Sequence, residues 1–268
     1  TKQRAGVGLH RQSATCRVPV GDVHQLACPR HRGQHRARVE VGGVTDRDVG
    51  ADTGLVGFAM SQFFTLHRTH PEIRLIKRAV EIVRKGGLIA YPTDSCYALG
   101  CHIGDKAAME RIRRVRGVDD RHHFTLVCRD LSDIGTFAKV NNAQYRLLKA
   151  HTPGSYTFIL DATRELPRRL AHPKRATVGV RVPEHPVTHA LLTELNEPLL
   201  SSTLMLPGDE YPLNDAEAIR GRLEHEVDLI LDGGACGIEP TTVIDLSGPE
   251  PILIRRGKGD VASMGFTD

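Results

Sequence analysis

The residues best suited to chemistry sit in short polar clusters at the ends of apolar stretches. Tyr91-Pro92-Thr93-Asp94-Ser95 closes the run Leu88-Ile89-Ala90 with side-chain oxygens. Thr152-Pro153-Gly154-Ser155-Tyr156-Thr157 is a turn that feeds another run. Arg181 interrupts Val180-Arg181-Val182-Pro183, a charge inside an apolar strand pattern. Leu200-Ser201-Ser202-Thr203 ends in hydroxyls, Pro240-Thr241-Thr242-Val243 begins with them, and Arg255-Arg256-Gly257 closes the last apolar run. Taken singly, a Ser or Thr beside a turn usually serves its own backbone. Together they describe an anion-binding mouth. Arginine holds phosphate or carboxylate in bidentate fashion, and hydroxyls with backbone N–H groups complete the shell.

The basic residues also cluster. Arg111, Arg113, Arg114 and Arg116 share one helical stretch, followed by Arg121, His122 and His123. Arg164, Arg168, Arg169, Lys174 and Arg175 share another. Such patches are either a solvated surface or a contact for polyphosphate or RNA, with Arg113, Arg168 and Arg169 as the RNA candidates. Cys96 and Cys101 read as buried small residues rather than a redox or metal pair. There is no Walker loop, dinucleotide fingerprint, HExxH or CxxC, and no metal site is expected.

Elements of mixed type must position these clusters. Ile73, Ile76, Ala79, Val80 and Val83 recur with helical spacing, ending at Arg84-Lys85-Gly86-Gly87. Further helices fit Asp105 to Arg116, a stretch from Asn141 or Asn142 through Leu148, Pro186 or Val187 to Leu195, and Asn214 or Asp215 to Leu223. Strands are expected at 88–91, 124–128, 156–160, 177–182, 199–202, 227–231, 243–246 and 252–254. Helices and strands alternate before strands gather at the end. This predicts an α/β fold, a single domain over 60–268 with a twisted, mixed, open sheet and flanking helices.

The charge is distributed unevenly. The formal net charge is +4, from 36 Lys and Arg against 32 Asp and Glu. Residues 1–59 hold nine of the former and five of the latter, so the remainder is neutral. That first segment has one aromatic, Phe58, and no Ile, too little apolar surface to offset its ordering entropy. It reads as a disordered or mistranslated extension ahead of Met60, the first methionine. A basic arm, or a metal site from Cys28, His31 and His35, is the competing reading. No run approaches about 18 apolar residues, so no transmembrane helix is expected. Six irregularly spaced cysteines suit a reducing cytoplasm.

The chain resembles the YrdC/YciO family in six ordered blocks. They are Lys85 to Gly100, Thr152-Pro153-Gly154, Val180-Arg181-Val182-Pro183, Pro198 to Thr203, Pro240 to Asp245, and Arg256-Gly257. The resemblance implies a twisted open sheet with a basic concave face for double-stranded RNA or tRNA. Its enzyme branch makes threonylcarbamoyl-AMP and pyrophosphate from L-threonine, bicarbonate and ATP, with Mg²⁺ accompanying the ATP and no tightly bound cofactor. The product serves modification of adenosine 37 in tRNA. By resemblance, Thr93 matches a threonine-binding position, and Arg181, Thr242 and Arg256 match positions of the nucleotide pocket. The enzyme branch carries Lys-x-Arg and Ser-x-Asn where this chain has Arg116, Val118, Thr203 and Met205. Arg116 and Thr203 are thus the catalytic candidates, while Val118 loses a cation and Met205 an amide. These departures resemble the YciO branch, and leave two readings: a synthase, or an RNA- or nucleotide-binding protein without efficient synthesis.

Overall fold

The computed structural model describes residues 60–266 except Arg121. The N-terminal extension, with its Cys28, His31 and His35, lies outside the described residues. Ten strands form one mixed sheet: β1 (Gln62–Thr65), β2 (Ile89–Tyr91), β3 (Ala98–His102), β4 (Thr125–Val127), β5 (Tyr156–Asp161), β6 (Thr177–Arg181), β7 (Leu199–Thr203), β8 (Leu229–Asp232), β9 (Thr242–Asp245) and β10 (Ile252–Arg255). Their order across the sheet is β1-β8-β2-β3-β7-β4-β6-β5-β9-β10. β1·β8, β2·β8, β4·β6 and β5·β9 are parallel; the other pairs are antiparallel. The helices are α1 (Ile73–Arg84), α2 (Lys106–Arg116), α3 (Leu131–Phe137), α4 (Asn142–His151), α5 (Pro186–Leu195) and α6 (Ala216–Leu223). A short 3₁₀ turn, Ala262–Met264, follows β10.

The helix ends follow local chemistry. Asp105 caps α2 by accepting from the Ala108 N–H at 2.8 Å, and Gly117 closes it in the left-handed region. Asn141 and Gln144 form a reciprocal capping box at the start of α4. Pro186 opens α5.

Alternation along the strands sorts side chains to two faces. One face carries Leu99, Leu126, Phe158, Val180, Leu200 and Ile244, packed in the larger core with α2 and α6 residues such as Ile112 and Ile219. The other carries Ile89, Tyr91, Val127, Leu199 and Leu231, covered by α1 and α5 through Val80, Val83, Leu191 and Leu195. Those two helices serve β2, β8 and their neighbours. Over β4, β6, β5, β9 and β10 the same face opens into a cavity of about 1040 Å³.

Three elements escaped the sequence reading. β1 and β3 add to the sheet, and β3 runs through Leu99, Gly100 and Cys101. α3 buries only Ile134, and its Gly135 and Thr136 weaken any helical signal.

Candidate functional site

The cavity wall is written in period two. Thr125 and Val127 of β4, Thr157 and Ile159 of β5, Thr177, Gly179 and Arg181 of β6, Ser201 and Thr203 of β7, and Val243 and Asp245 of β9 line it. Their sequence neighbours Leu126, Phe158, Val180, Leu200 and Ile244 fill the core behind. The strands thus put Thr125, Thr157, Thr177, Ser201 and Thr203 on the cavity face among Val127, Ile159 and Val243, with a mainly hydrocarbon face behind.

Four arginines line this cavity: Arg116, Arg175, Arg181 and Arg255. Arg181 is 7% exposed. Its Nη2 donates to Asp94 Oδ1, to Ser95 Oγ at 3.1 Å and to Thr93 Oγ1 at 3.3 Å, while its Nε is buried without a protein partner. Asp94 in turn accepts from Ser155 Oγ at 2.5 Å, and its carbonyl accepts from Lys258. The turns at 93–95 and 153–155 therefore meet on one ion pair at the edge of the cavity.

Arg116, the last residue of α2, donates to Ser202 Oγ at 2.6 Å and to the Met205 carbonyl at 3.3 Å. His122 Nε2 lies 3.1 Å from Arg116 Nη1 and 2.9 Å from Ser202 Oγ. Burial lowers the Arg116 pKa from its ordinary value, and the charge of Arg255 acts in the same direction. Burial, with Arg116, His123 and Arg113 adding, pushes His122 down to about 4, so its ring is neutral near pH 7. Arg255 Nη2 donates to the Thr241 carbonyl at 2.9 Å. Among the described residues, neither Arg116 nor Arg255 forms an ion pair with a carboxylate, whereas Arg175 pairs with Asp245 at 3.0 Å.

Of the residues singled out from sequence, Arg116, Arg181 and Thr203 line the cavity. Thr93 is 2% exposed and held in its own turn, donating to the Cys96 carbonyl at 2.6 Å, so it borders the wall only through Arg181. Thr242 and Arg256 do not line the cavity; their neighbours Thr241 and Arg255 do. Thr242 faces inward with Ile244, where its hydroxyl donates to the Gly259 carbonyl at 2.7 Å and accepts from the Gly257 N–H at 3.1 Å. It fastens the C-terminal segment. In β10 the register shifts between Leu253 and Arg255, and Arg255 pairs with Val243. That bulge turns Arg255 to the cavity where plain alternation favours Arg256.

The RNA candidates divide as well. Arg113 has a side chain only 12% exposed, pairs with Glu110 at 2.5 Å and stacks over Phe124 at 5.3 Å, so it is no free surface cation. Arg168 and Arg169 are exposed, and Arg169 donates to the Gly104 carbonyl. Met205 lines the cavity, while Val118 is half-buried away from its wall. Cys96, Cys101 and Cys128 are buried free thiols, and burial raises all three pKa values, the Cys101 value to about 12. His122 was legible only as part of a basic run, although its position after the Arg116 helix was a signal.

A family model for Sua5, YciO and YrdC proteins, described as telomere recombination, matches residues 81–257. The chain belongs to this family. It is 58% identical to the uncharacterized protein YciO of Escherichia coli K12 over 202 residues, covering 75% of this chain and 98% of that one. It is 34% identical to the threonylcarbamoyl-AMP synthase of Chromobacterium violaceum over 178 residues, covering 66% of this chain and 91% of that one. The crystal structure of Escherichia coli YciO superposes with a TM-score of 0.73, at 58% identity and the same 75% and 98% coverage. That of Sua5 from P. abyssi complexed with L-threonine gives 0.71 at 25% identity, covering 76% of this chain and 60% of that one. The single mixed sheet with flanking helices is thus the family's fold, and no described helix is long and apolar enough to cross a membrane.

Proposed function

We propose that this chain is a nucleotidyltransferase of the threonylcarbamoyl-AMP synthase type, joining L-threonine, bicarbonate and ATP into threonylcarbamoyl-adenylate and pyrophosphate for tRNA modification. The observation that carries the reading is the meeting of Arg116, Arg181 and Arg255 with Thr157, Ser201, Ser202, Thr203 and Thr241 on one cavity. Two guanidinium groups without carboxylate partners suit a polyanion, and Arg181, fixed by Asp94, borders the same cavity. Bicarbonate takes up a proton and loses water to give CO₂; the threonine amine, free of its ammonium proton, attacks that carbon, releases a second proton and becomes a carbamate. A carbamate oxygen then attacks the α-phosphorus of ATP, the bond from that phosphorus to the bridging oxygen breaks, and pyrophosphate leaves. The chain's own part is positioning and charge stabilisation. Arg116 and Arg255 bear on the phosphates, Arg181 on the amino-acid end, and Ser201, Ser202 and Thr203 supply hydroxyls between.

Mg²⁺ enters with the triphosphate and neutralises part of its charge. Among the described residues no three His, Cys, Asp or Glu side chains converge as a cage. A cation that keeps water and phosphate ligands fits such a wall. Met205 in place of an amide removes one contact to a charged ligand, worth about 1.5–3 kcal/mol. The reading therefore includes a slow enzyme. Pyrophosphate release that needs both threonine and bicarbonate, and falls at least tenfold in Arg116→Met, is the expected result. No release above an enzyme-free blank refutes the activity.

RNA contact is the second reading. The segment 164–175 carries exposed Arg164, Arg168, Arg169 and Lys174, and its Leu170, His172 and Arg175 line the cavity. An RNA backbone laid there would lead a nucleotide to the same wall. Salt-sensitive tRNA binding that weakens in the Arg168→Gln and Arg169→Gln double variant supports it, and unchanged binding opposes it.

A further inference from the structure

Few large apolar side chains are left in water among the described residues, and three of them line one cavity. Among the described residues seven large hydrophobic side chains are exposed, including Tyr211 at 55%, Ile254 at 54% and Ile238 at 45%. These three line the cavity described above, together with the prolines Pro212 and Pro240. They come from three separate segments: the loop after β7, the loop before β9, and β10. Exposed apolar side chains on the wall of a cavity that also carries guanidinium groups mark a place where something apolar is covered.

The chemistry of the rim limits what that is. Glu210 precedes Tyr211 and Glu239 follows Ile238, and both carboxylates line the same cavity. They oppose a phosphate at the rim. The cations without carboxylate partners, Arg116 and Arg255, draw phosphates toward Ser202 and Thr241 instead. At about 1040 Å³ the cavity lies at the upper end of ordinary small-ligand sites, about 300–1,000 Å³, so it has room for a ligand with a charged part and a flat part.

We propose that Tyr211, on the same cavity as Ile238 and Ile254, is the platform on which the base of a nucleotide stacks, while its phosphates are held by Arg116 and Arg255. This rests on the reading of the cavity as a nucleotide site and adds the residue that selects a nucleotide over a bare polyphosphate. Every base has a π-face, so a tyrosine ring and two branched aliphatic chains accept it without hydrogen-bond readout. An exposed ring is also available without displacing any packed side chain.

The test compares two probes on the full chain, ATP and inorganic tripolyphosphate, by calorimetry. The wild type binds ATP more tightly than tripolyphosphate. Tyr211→Ala weakens ATP by roughly 5- to 150-fold, the range for loss of one base-stacking side chain, and leaves tripolyphosphate unchanged. Tyr211→Phe retains ATP binding to within about threefold, because the ring and not the hydroxyl is used. Equal affinity of the wild type for the two probes overturns the platform while leaving the anion site intact. Equal weakening of both probes in Tyr211→Ala shows a structural effect and also overturns it. Absence of binding by either probe sinks the nucleotide reading of the cavity itself.

Discussion

Replacing Asp94 by alanine tests how the cavity wall holds Arg181. Each side chain of this pair is 9% exposed. Removing one partner of a buried ion pair costs about 3–5 kcal/mol, because the survivor stays charged and out of water. Two neutral acceptors persist for Arg181 Nη2, namely Ser95 Oγ at 3.1 Å and Thr93 Oγ1 at 3.3 Å. They hold the expected loss in Asp94→Ala to the lower end, about 3 kcal/mol. The companion variant, Asp94→Leu with Arg181→Met, removes both charges and recovers most of that loss, since apolar residues of similar volume replace a buried pair at little cost. Urea denaturation at pH 7 reads both variants as a shift in midpoint at constant slope. A loss below about 1 kcal/mol in Asp94→Ala, the scale of an exposed pair, refutes the reasoning. So does a double variant no more stable than the single one.

Three further outcomes follow from the same wall. Met205→Asn raises threonine-dependent pyrophosphate release, whereas Val118→Arg raises it less, because Met205 lines the cavity and Val118 does not; equal gains would oppose this. A β-carbon added at Gly179 meets Thr125 Oγ1 and Thr157 Cγ2 at 3.5 Å, ordinary contact. Gly179→Ala therefore keeps thermal stability but narrows the cavity, seen as weaker ATP binding with an unchanged melting temperature. His122 is held at about 4 by burial first and neighbouring cations second, against an ordinary 6.5. The unfolded chain takes up a proton that the native chain refuses, so stability is fully present above pH 6.5 and declines as pH falls toward 4. Discounted for partial exposure, the loss is about 2 kcal/mol, and His122→Gln flattens this part of the urea-midpoint profile against pH.

Most of the fold was legible because the apolar periods were long and several helices carry side-chain caps. Ile76, Ala79, Val80 and Val83 announce α1, and Asn141 with Gln144 announces α4. β3 was hidden because Ala98 to His102 begins only two residues after the turn at 93–95 and has Gly100 at its centre, so its alternation is short and weak. Arg181 was legible as a charge inside a strand, and its partner Asp94 lay 87 residues away, beyond any local pattern. The choice of Arg255 over Arg256 depends on a bulge, and bulges leave no periodic trace in sequence. Arg113 shows the opposite case: a basic helix run looks uniform, yet Glu110 and Phe124 take one member out of solution.

The most direct measurement supplies the chain with ATP, L-threonine and ¹³C-bicarbonate and determines the mass of the adenylated product. The account predicts an AMP adduct that contains threonine and one carbon from bicarbonate, shifted by one mass unit with the label, formed together with pyrophosphate. AMP without threonine, or an adduct that ignores the label, contradicts it.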